Sequence, residues 1–245
     1  MKKSILSWSG GKDSALALYE ILSGKEFEIT YLLTTVSAEF NRISMHGVRS
    51  ELLDQQVESI GLPLYKMEIP EMPTMEVYEN VMEKTLEKLK NKGITYSIFG
   101  DIFLEDLRKY RENKLITMGF EGVFPLWKIP TQDLIQEFIS LGFKTIVVCV
   151  NERYLDKSFV GRIIDQQFID DLPKNVDVCG ENGEFHTFSF DGPIFNKAID
   201  FEIGEIVHRK YEKPKKESSN TACDTNDVTA YDYGFWYCDL IPKND

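Results

Sequence analysis

Residues 4–14 read Ser-Ile-Leu-Ser-Trp-Ser-Gly-Gly-Lys-Asp-Ser, and this stretch decides the fold. Ile5, Leu6 and Trp8 form a short apolar run, and Ala15, Leu16, Leu18, Tyr19 and Leu22 then recur at helical spacing before Gly24. Strand, glycine turn and helix start together make an anion site. The first N–H groups of a helix lack intrahelical partners and carry the positive end of its dipole. Gly10 and Gly11 let the backbone approach an oxygen cluster closely. Ser9 and Ser14 add hydroxyls, and Lys12 adds a fixed positive charge. The residues suit a polyphosphate. A Walker loop is excluded, because it needs glycine five residues before its Gly-Lys pair and Ser or Thr after the lysine. Here those positions hold Leu6 and Asp13. A glycine turn opening any α/β helix would account for a bare Gly-Gly pair, but not for the whole hexapeptide placed after a strand.

Outward from this loop the chain alternates. Residues 28–36, 63–69, 95–99, 123–127 and 144–150 read as strands. Residues 48–60, 74–91, 104–118 and 131–141 read as helices, with Gly61, Gly93 and Gly142 as stops. Such alternation implies crossover units: an α/β fold whose parallel sheet has helices on both faces and binds ligands at the strands' carboxyl ends. Ser37, Gly100 and Asp101 fall at such ends. After residue 150 the rhythm changes, which predicts a smaller α+β domain. A helix is expected over 155–171, two strands around an acidic turn over 176–188, a polar segment over 210–230 and a last strand over 231–240. We expect the boundary within 128–150 and divide the chain into 1–130, carrying the nucleotide, and 131–245, carrying the acceptor substrate.

Composition narrows the classes. The net charge of −12 disfavours a nucleic-acid binder, whose affinity rests on phosphate neutralisation. No run of apolar residues is long enough to span a membrane, and the stretch after Met1 is too short for a signal peptide. Cys149, Cys179, Cys223 and Cys238 include no C-x-x-C pair, which argues against a zinc or redox motif and suits a reduced cytoplasmic setting. Cys149, within an apolar strand, reads as a core thiol.

Glu181 and Glu184 flank Asn182-Gly183, a pair suited to a tight turn. They read either as a solvated hairpin or as a carboxylate pair that holds a metal ion or takes a proton from a nucleophile. His46 reads as a packing or capping residue of the next helix or as a substrate contact, and so does Arg49 one turn on. Arg108 and Arg111 read as a solvated helix face or as phosphate contacts.

SGGKDS resembles the pyrophosphate loop of the N-type ATP pyrophosphatases, which cleave ATP between its α and β phosphates. GENGEFHTF at 180–188, LDKSFVGRIID at 155–165 and MHGVRSELLDQQVESIGLPL at 45–64 resemble one subfamily, the diphthine–ammonia ligases and their archaeal and bacterial relatives. The likeness runs to about residue 195, and 196–245 carry no recognised motif. It implies an adenine-nucleotide-hydrolase-like domain followed by a smaller one, with the active site between them. Carried over, Ser9, Gly10, Gly11, Lys12, Asp13 and Ser14 bind ATP, as do Gly100 and Asp101, while Ser37 joins them by its place after the second strand. Asp13 reaches magnesium; Gly180, Glu181, Gly183 and Glu184 form the second-domain motif. His46, Arg49, Gly180 and Gly183 are candidate substrate contacts, and Lys12, Asp13, Glu181 and Glu184 the candidate catalytic residues. The implied reaction adenylates a carboxylate and displaces AMP with ammonia, so ATP, Mg2+, ammonium and a carboxylate acceptor are the expected partners. In the family that acceptor is the modified histidine of elongation factor 2; a bacterial relative would use another substrate. A tRNA-modifying pyrophosphatase and a nucleotide sensor without turnover are the competing readings, and self-association stays open.

Overall fold

The computed structural model describes residues 1–37, 42–43, 47–70, 74–210 and 234–243. His46, Cys223 and nearly all of the polar 210–230 segment lie outside them.

The first half runs β1 (Lys2–Ser7), α1 (Lys12–Gly24), β2 (Phe27–Ser37), β3 (Arg42–Ile43), α2 (Ser50–Ile60), β4 (Leu64–Ile69), α3 (Met75–Lys90), β5 (Tyr96–Ile98), α4 (Glu105–Met118) and β6 (Glu121–Val123). Five strands pair in parallel, in the order β4-β2-β1-β5-β6, and β3 adds a short antiparallel pairing to the end of β2. The strand order reverses at β1, so a crevice opens at the carboxyl ends of β1 and β5. Side-chain alternation gives each strand two apolar faces. Leu6, Leu32 and Ile98 pack with α1 and α2, whereas Ile5, Leu33 and Phe99 pack with α3 and α4.

The second half adds α5 (Thr131–Ser140), β7 (Lys144–Asn151), α6 (Gln166–Asp171), β8 (Phe185–Asp191), β9 (Phe201–Lys210) and β10 (Gly234–Pro242). Its four strands form an antiparallel sheet in the order β8-β7-β10-β9. The cluster under α1 and α2 continues without a break into Leu134 and Phe138 of α5, Val147 of β7, Phe168 of α6 and Leu240 of β10. One core therefore spans the stretch where the pattern of the sequence changes. Cys149 is buried, as its apolar strand suggested.

Four expectations change. The helix expected over 155–171 is a 3₁₀ turn at Lys157–Phe159 and the short α6. Residues between them pair with β7 instead: Gly161 N–H donates to the Val147 carbonyl, Val147 N–H to Arg162, and Ile164 N–H to Thr145. Residues 176–184 form turns rather than a strand. The strand expected at 123–127 lies at Glu121–Val123, where it pairs with β5, and Phe124 turns away to stack on Phe99. β9, half-exposed and charged, was not expected.

Phe138 is buried and stacks on Phe143 with ring centroids 4.6 Å apart. Phe138→Ala should cost about 3–5 kcal/mol, and calorimetry should show one transition that shifts as a unit. Two resolved transitions would contradict the shared core.

Candidate active site

The glycine loop is shaped by long-range contacts. Gly10 adopts φ +76°, a left-handed conformation that suits glycine. Its carbonyl accepts the Ser189 N–H at 2.8 Å and the Gln56 Nε2 at 3.0 Å. Ser14 Oγ donates to the Gly11 carbonyl at 2.9 Å and lies 3.2 Å from Ser9 Oγ, which accepts the Gly11 N–H. The Lys12 N–H, a donor that the sequence assigns to phosphate, meets Thr187 Oγ1 of β8 at 3.0 Å. The second sheet is thus seated on the loop.

Lys12 is only 4% exposed, and its ammonium holds both Asp13 carboxylate oxygens at 2.6 and 2.7 Å. Burial pulls the Lys12 pKa down, but Asp13, Cys179 and Glu181 outweigh it and leave it above the ordinary lysine value. Lys12 is a permanent cation. Gly100 admits β5 to this corner, since a Cβ there would lie 2.9 Å from the Asp13 backbone.

The two glutamates of the acidic turn part company. Glu181 Oε1 accepts the Ile102 N–H at 3.0 Å, which ties the turn to the loop after β5. Burial pushes Glu181 up to about 7; the Ile102 N–H and Lys12 oppose the shift, and Asp13 adds to it. Glu181 therefore feels both charges of the phosphate loop. Glu184, expected to share that work, is 0% exposed. It accepts from Asp177 N–H at 3.0 Å and from Asn182 through its N–H at 2.8 Å and its Nδ2 at 3.0 Å. Those bonds hold the turn closed, and the structure gives Glu184 a scaffold's place. Asp177, which the sequence did not single out, completes the turn by accepting from Cys179 N–H, Glu181 N–H and Thr131 Oγ1. Gly180 and Gly183 take φ +70° and +81° within this turn. Gly180 has no room for a side chain: a Cβ would meet the Phe185 carbonyl at 3.0 Å.

Beside Ser9 a cavity of 240 Å³ opens at the carboxyl ends of β1, β2 and β5, walled by Thr34, Tyr78, Leu86, Phe99 and Arg111 among others. Apolar walls with a few polar groups suit a nucleoside. The Thr34 hydroxyl on its wall is buried with no hydrogen-bond partner among the described residues, an unmet need that a ligand could fill. The Ser37 hydroxyl at the end of β2 is likewise unmet. Asp101 pairs with Arg111 at 2.8 Å; burial pushes its carboxyl up and the arginine draws it back. Arg111 also stacks on Phe99, whereas Arg108 lies over Phe124 and Trp127 and pairs with Glu112. Arg49 is not at the loop. It grips both oxygens of Asp239 on β10 at 2.7 and 3.2 Å, and Arg42 joins at 3.0 Å. Those arginines hold Asp239 below the usual carboxylate range despite partial burial.

A reversed-order parallel sheet, SGGKDS between β1 and α1, and an adjoining nucleoside-sized cavity define a nucleotide-binding domain of the N-type ATP pyrophosphatase class. Within that class the chain belongs to the diphthamide synthase family. The family model for the diphthamide synthase N-terminal domain matches residues 1–120, and that for the C-terminal domain matches 130–217. The chain is similar to the diphthine–ammonia ligase of Homo sapiens, at 28% identity over 220 residues, covering 81% of this chain and 82% of the relative. The Bos taurus enzyme is 29% identical with the same coverage. The Saccharomyces cerevisiae diphthine–ammonia ligase is 23% identical over 84% of this chain, which spans 35% of the yeast protein. Among solved structures, the U34-tRNA thiolase NcsA of Methanococcus maripaludis overlays with a TM-score of 0.35 at 17% identity, covering 58% of this chain and 57% of its own.

Glu184→Ala leaves the part-buried Asp177 and Asn182 N–H groups without their acceptor and should cost about 1–3 kcal/mol, seen as a lower Tm. Glu181 behaves differently. Its folded pKa, about 7, lies above the ordinary 4.5, so its contribution to stability is present at low pH and is lost as pH rises through that window. Glu181→Gln should therefore fold normally and lose less stability than the parent between pH 5 and 8. An unchanged pH slope of Tm would remove this assignment.

Proposed function

We propose that this chain is an ATP-dependent amide ligase acting on diphthine. It transfers AMP to the acceptor carboxylate, releases pyrophosphate, and lets ammonia displace the AMP. The observation that carries the reading is the convergence of Lys12, Asp13 and Glu181 at the glycine loop, between the ATP cavity and the second sheet.

A carboxylate does not yield an amide in water because its oxygen leaves poorly; adenylation supplies a leaving group. The protein must orient the acceptor in line with the α-phosphorus and neutralise the departing pyrophosphate. Lys12 and the first-turn N–H groups of α1 provide positive charge on the loop, and the cavity beside Ser9 takes the nucleoside. In this reading residues 1–130 hold ATP and residues 131–245 hold the acceptor. Glu181, poised to ionise near neutral pH, accepts a proton from the incoming ammonium or amine.

Magnesium fits this corner. The ion favours one or two carboxylates plus substrate phosphates over an all-protein cage. Asp13, part-exposed at the mouth of the loop, offers one such carboxylate, and no cluster of three such ligands occurs among the described residues. When bound, the ion would add charge neutralisation on the phosphates.

The three described cysteines do not favour thiolation. Burial pushes Cys149 and Cys179 up to about 12 and Cys238 to about 11, which leaves each a poor nucleophile at neutral pH. Free ammonium is the proposed nitrogen donor, and the acceptor is the modified histidine of elongation factor 2 that the family resemblance implies. None of the described helices is long and apolar enough to cross a membrane.

Incubation with ATP, magnesium, ammonium and elongation factor 2 bearing diphthine should release one AMP and one pyrophosphate per amide formed. ADP and phosphate instead would defeat the reading. Lys12→Met should lower turnover by about a hundredfold or more with its circular dichroism unchanged.

A further inference from the structure

Gln56 lies in the middle of α2, outside the set of groups that the proposed chemistry uses. It is 0% exposed, on the buried face of α2 beside Leu52, Leu53 and Val57. Its Oε1 accepts the Trp8 Nε1–H at 3.1 Å, and its Nε2 donates to the Gly10 carbonyl at 3.0 Å and the Ser189 carbonyl at 2.6 Å. Two donors and an acceptor are all used, and only one orientation of the amide satisfies these partners. The circuit closes on itself, because the Ser189 N–H donates back to the Gly10 carbonyl at 2.8 Å. Gln56 also shapes Gly10 sterically: a Cβ there would lie 2.7 Å from Gln56 Oε1.

Burying an amide among aliphatic side chains is unfavourable unless every polar atom is matched. Leu or Met would fill this space at lower cost, so the amide contributes geometry rather than packing. That geometry concerns the residues flanking Ser9. Trp8 precedes the phosphate loop, Gly10 makes its left-handed turn, and Ser189 belongs to the strand docked against it. Remove the Ser189 carbonyl and one amide N–H loses its partner; remove the amide and the Gly10 carbonyl keeps a single restraint.

We infer that Gln56 is a positioning residue that locks Gly10 in its turn and makes the shape of the phosphate loop depend on β8 being docked. The nucleotide half becomes competent only when the half proposed to hold the acceptor is in place. This rests on reading the loop as the ATP site.

The test uses Gln56→Met, of similar length but without the three hydrogen bonds, and Gln56→Glu. For Gln56→Met, kcat/KM for ATP should fall by about tenfold or more, while KM for ammonium stays at the parental value. In Gln56→Glu a carboxylate faces two carbonyls, and protonation restores one donor. Its activity relative to the parent should therefore recover as pH falls from 8 to 6, a dependence that Gln56→Met lacks. Should Gln56→Met fail to fold, Gln56→Glu carries the test alone, through its recovery of activity relative to the parent between pH 8 and 6. Parental ATP affinity and turnover per folded molecule in Gln56→Met, whatever its Tm, would overturn the inference, as would a flat pH ratio for Gln56→Glu. Calorimetric ATP titration separates this from the ligase reading. A parent that binds ATP but releases no AMP sinks the ligase reading alone. A Gln56→Met protein that binds ATP like the parent sinks this inference alone.

Discussion

The carbonyl of Gly10 is the point on which the molecule is hung. It accepts from the backbone of Ser189 and from the side chain of Gln56, while the next turn of the loop gives its Lys12 N–H to Thr187. A glycine loop in isolation samples many conformations, and fixing even a few dihedrals carries an entropic cost. Here the cost is offset by docking an edge strand, which also covers the unpaired rim of the second sheet. The binding loop and the sheet proposed to face the acceptor are therefore parts of one construction, and the continuous core beneath α1 and α2 keeps them together.

Around that point the charges are arranged by burial. Lys12 loses water and gains the Asp13 carboxylate, so it stays cationic where a lone buried lysine would tend to neutralise. Glu181 loses water and lies in the field of the Asp13 carboxylate, which backbone donors and Lys12 only partly offset, so its carboxyl is pushed up to about 7. Glu184, three residues away, is deeper still but has its oxygens met by donors from Asp177 and Asn182. One acid meets the loop after β5 and the other is tied into its own turn.

How legible this was depended on the range of the forces involved. The run from β1 into α1 was clear because apolar spacing and a double glycine are local signals. The helices at 50–60, 75–90, 105–118 and 131–140 followed their periodicity for the same reason. The stretch at 155–171 misled, since its apolar residues sit at helical spacing while its backbone pairs with β7, a strand remote from it until the chain folds. Residues 176–184 misled likewise: alternation suggested a strand, but Asp177 and Glu184 gather the backbone N–H groups into turns. β9 gave little apolar signal because it lies at a sheet edge and is half wet.

The site divides along the same line. Local sequence pointed to an anion-binding loop at residues 9–14 and to the acids of the 181–184 turn, because a glycine turn at a helix start has its chemistry wherever it occurs. Tertiary structure alone decided that Arg49 pairs with Asp239 on the second sheet, that Glu181 meets the loop after β5 while Glu184 is tied into its own turn, and that Gln56 bonds the carbonyl of Gly10. Each of those outcomes depends on which polar groups are desolvated together and which donors meet them. Partners 46 to 190 residues apart along the chain become neighbours only when the two sheets close on a common core.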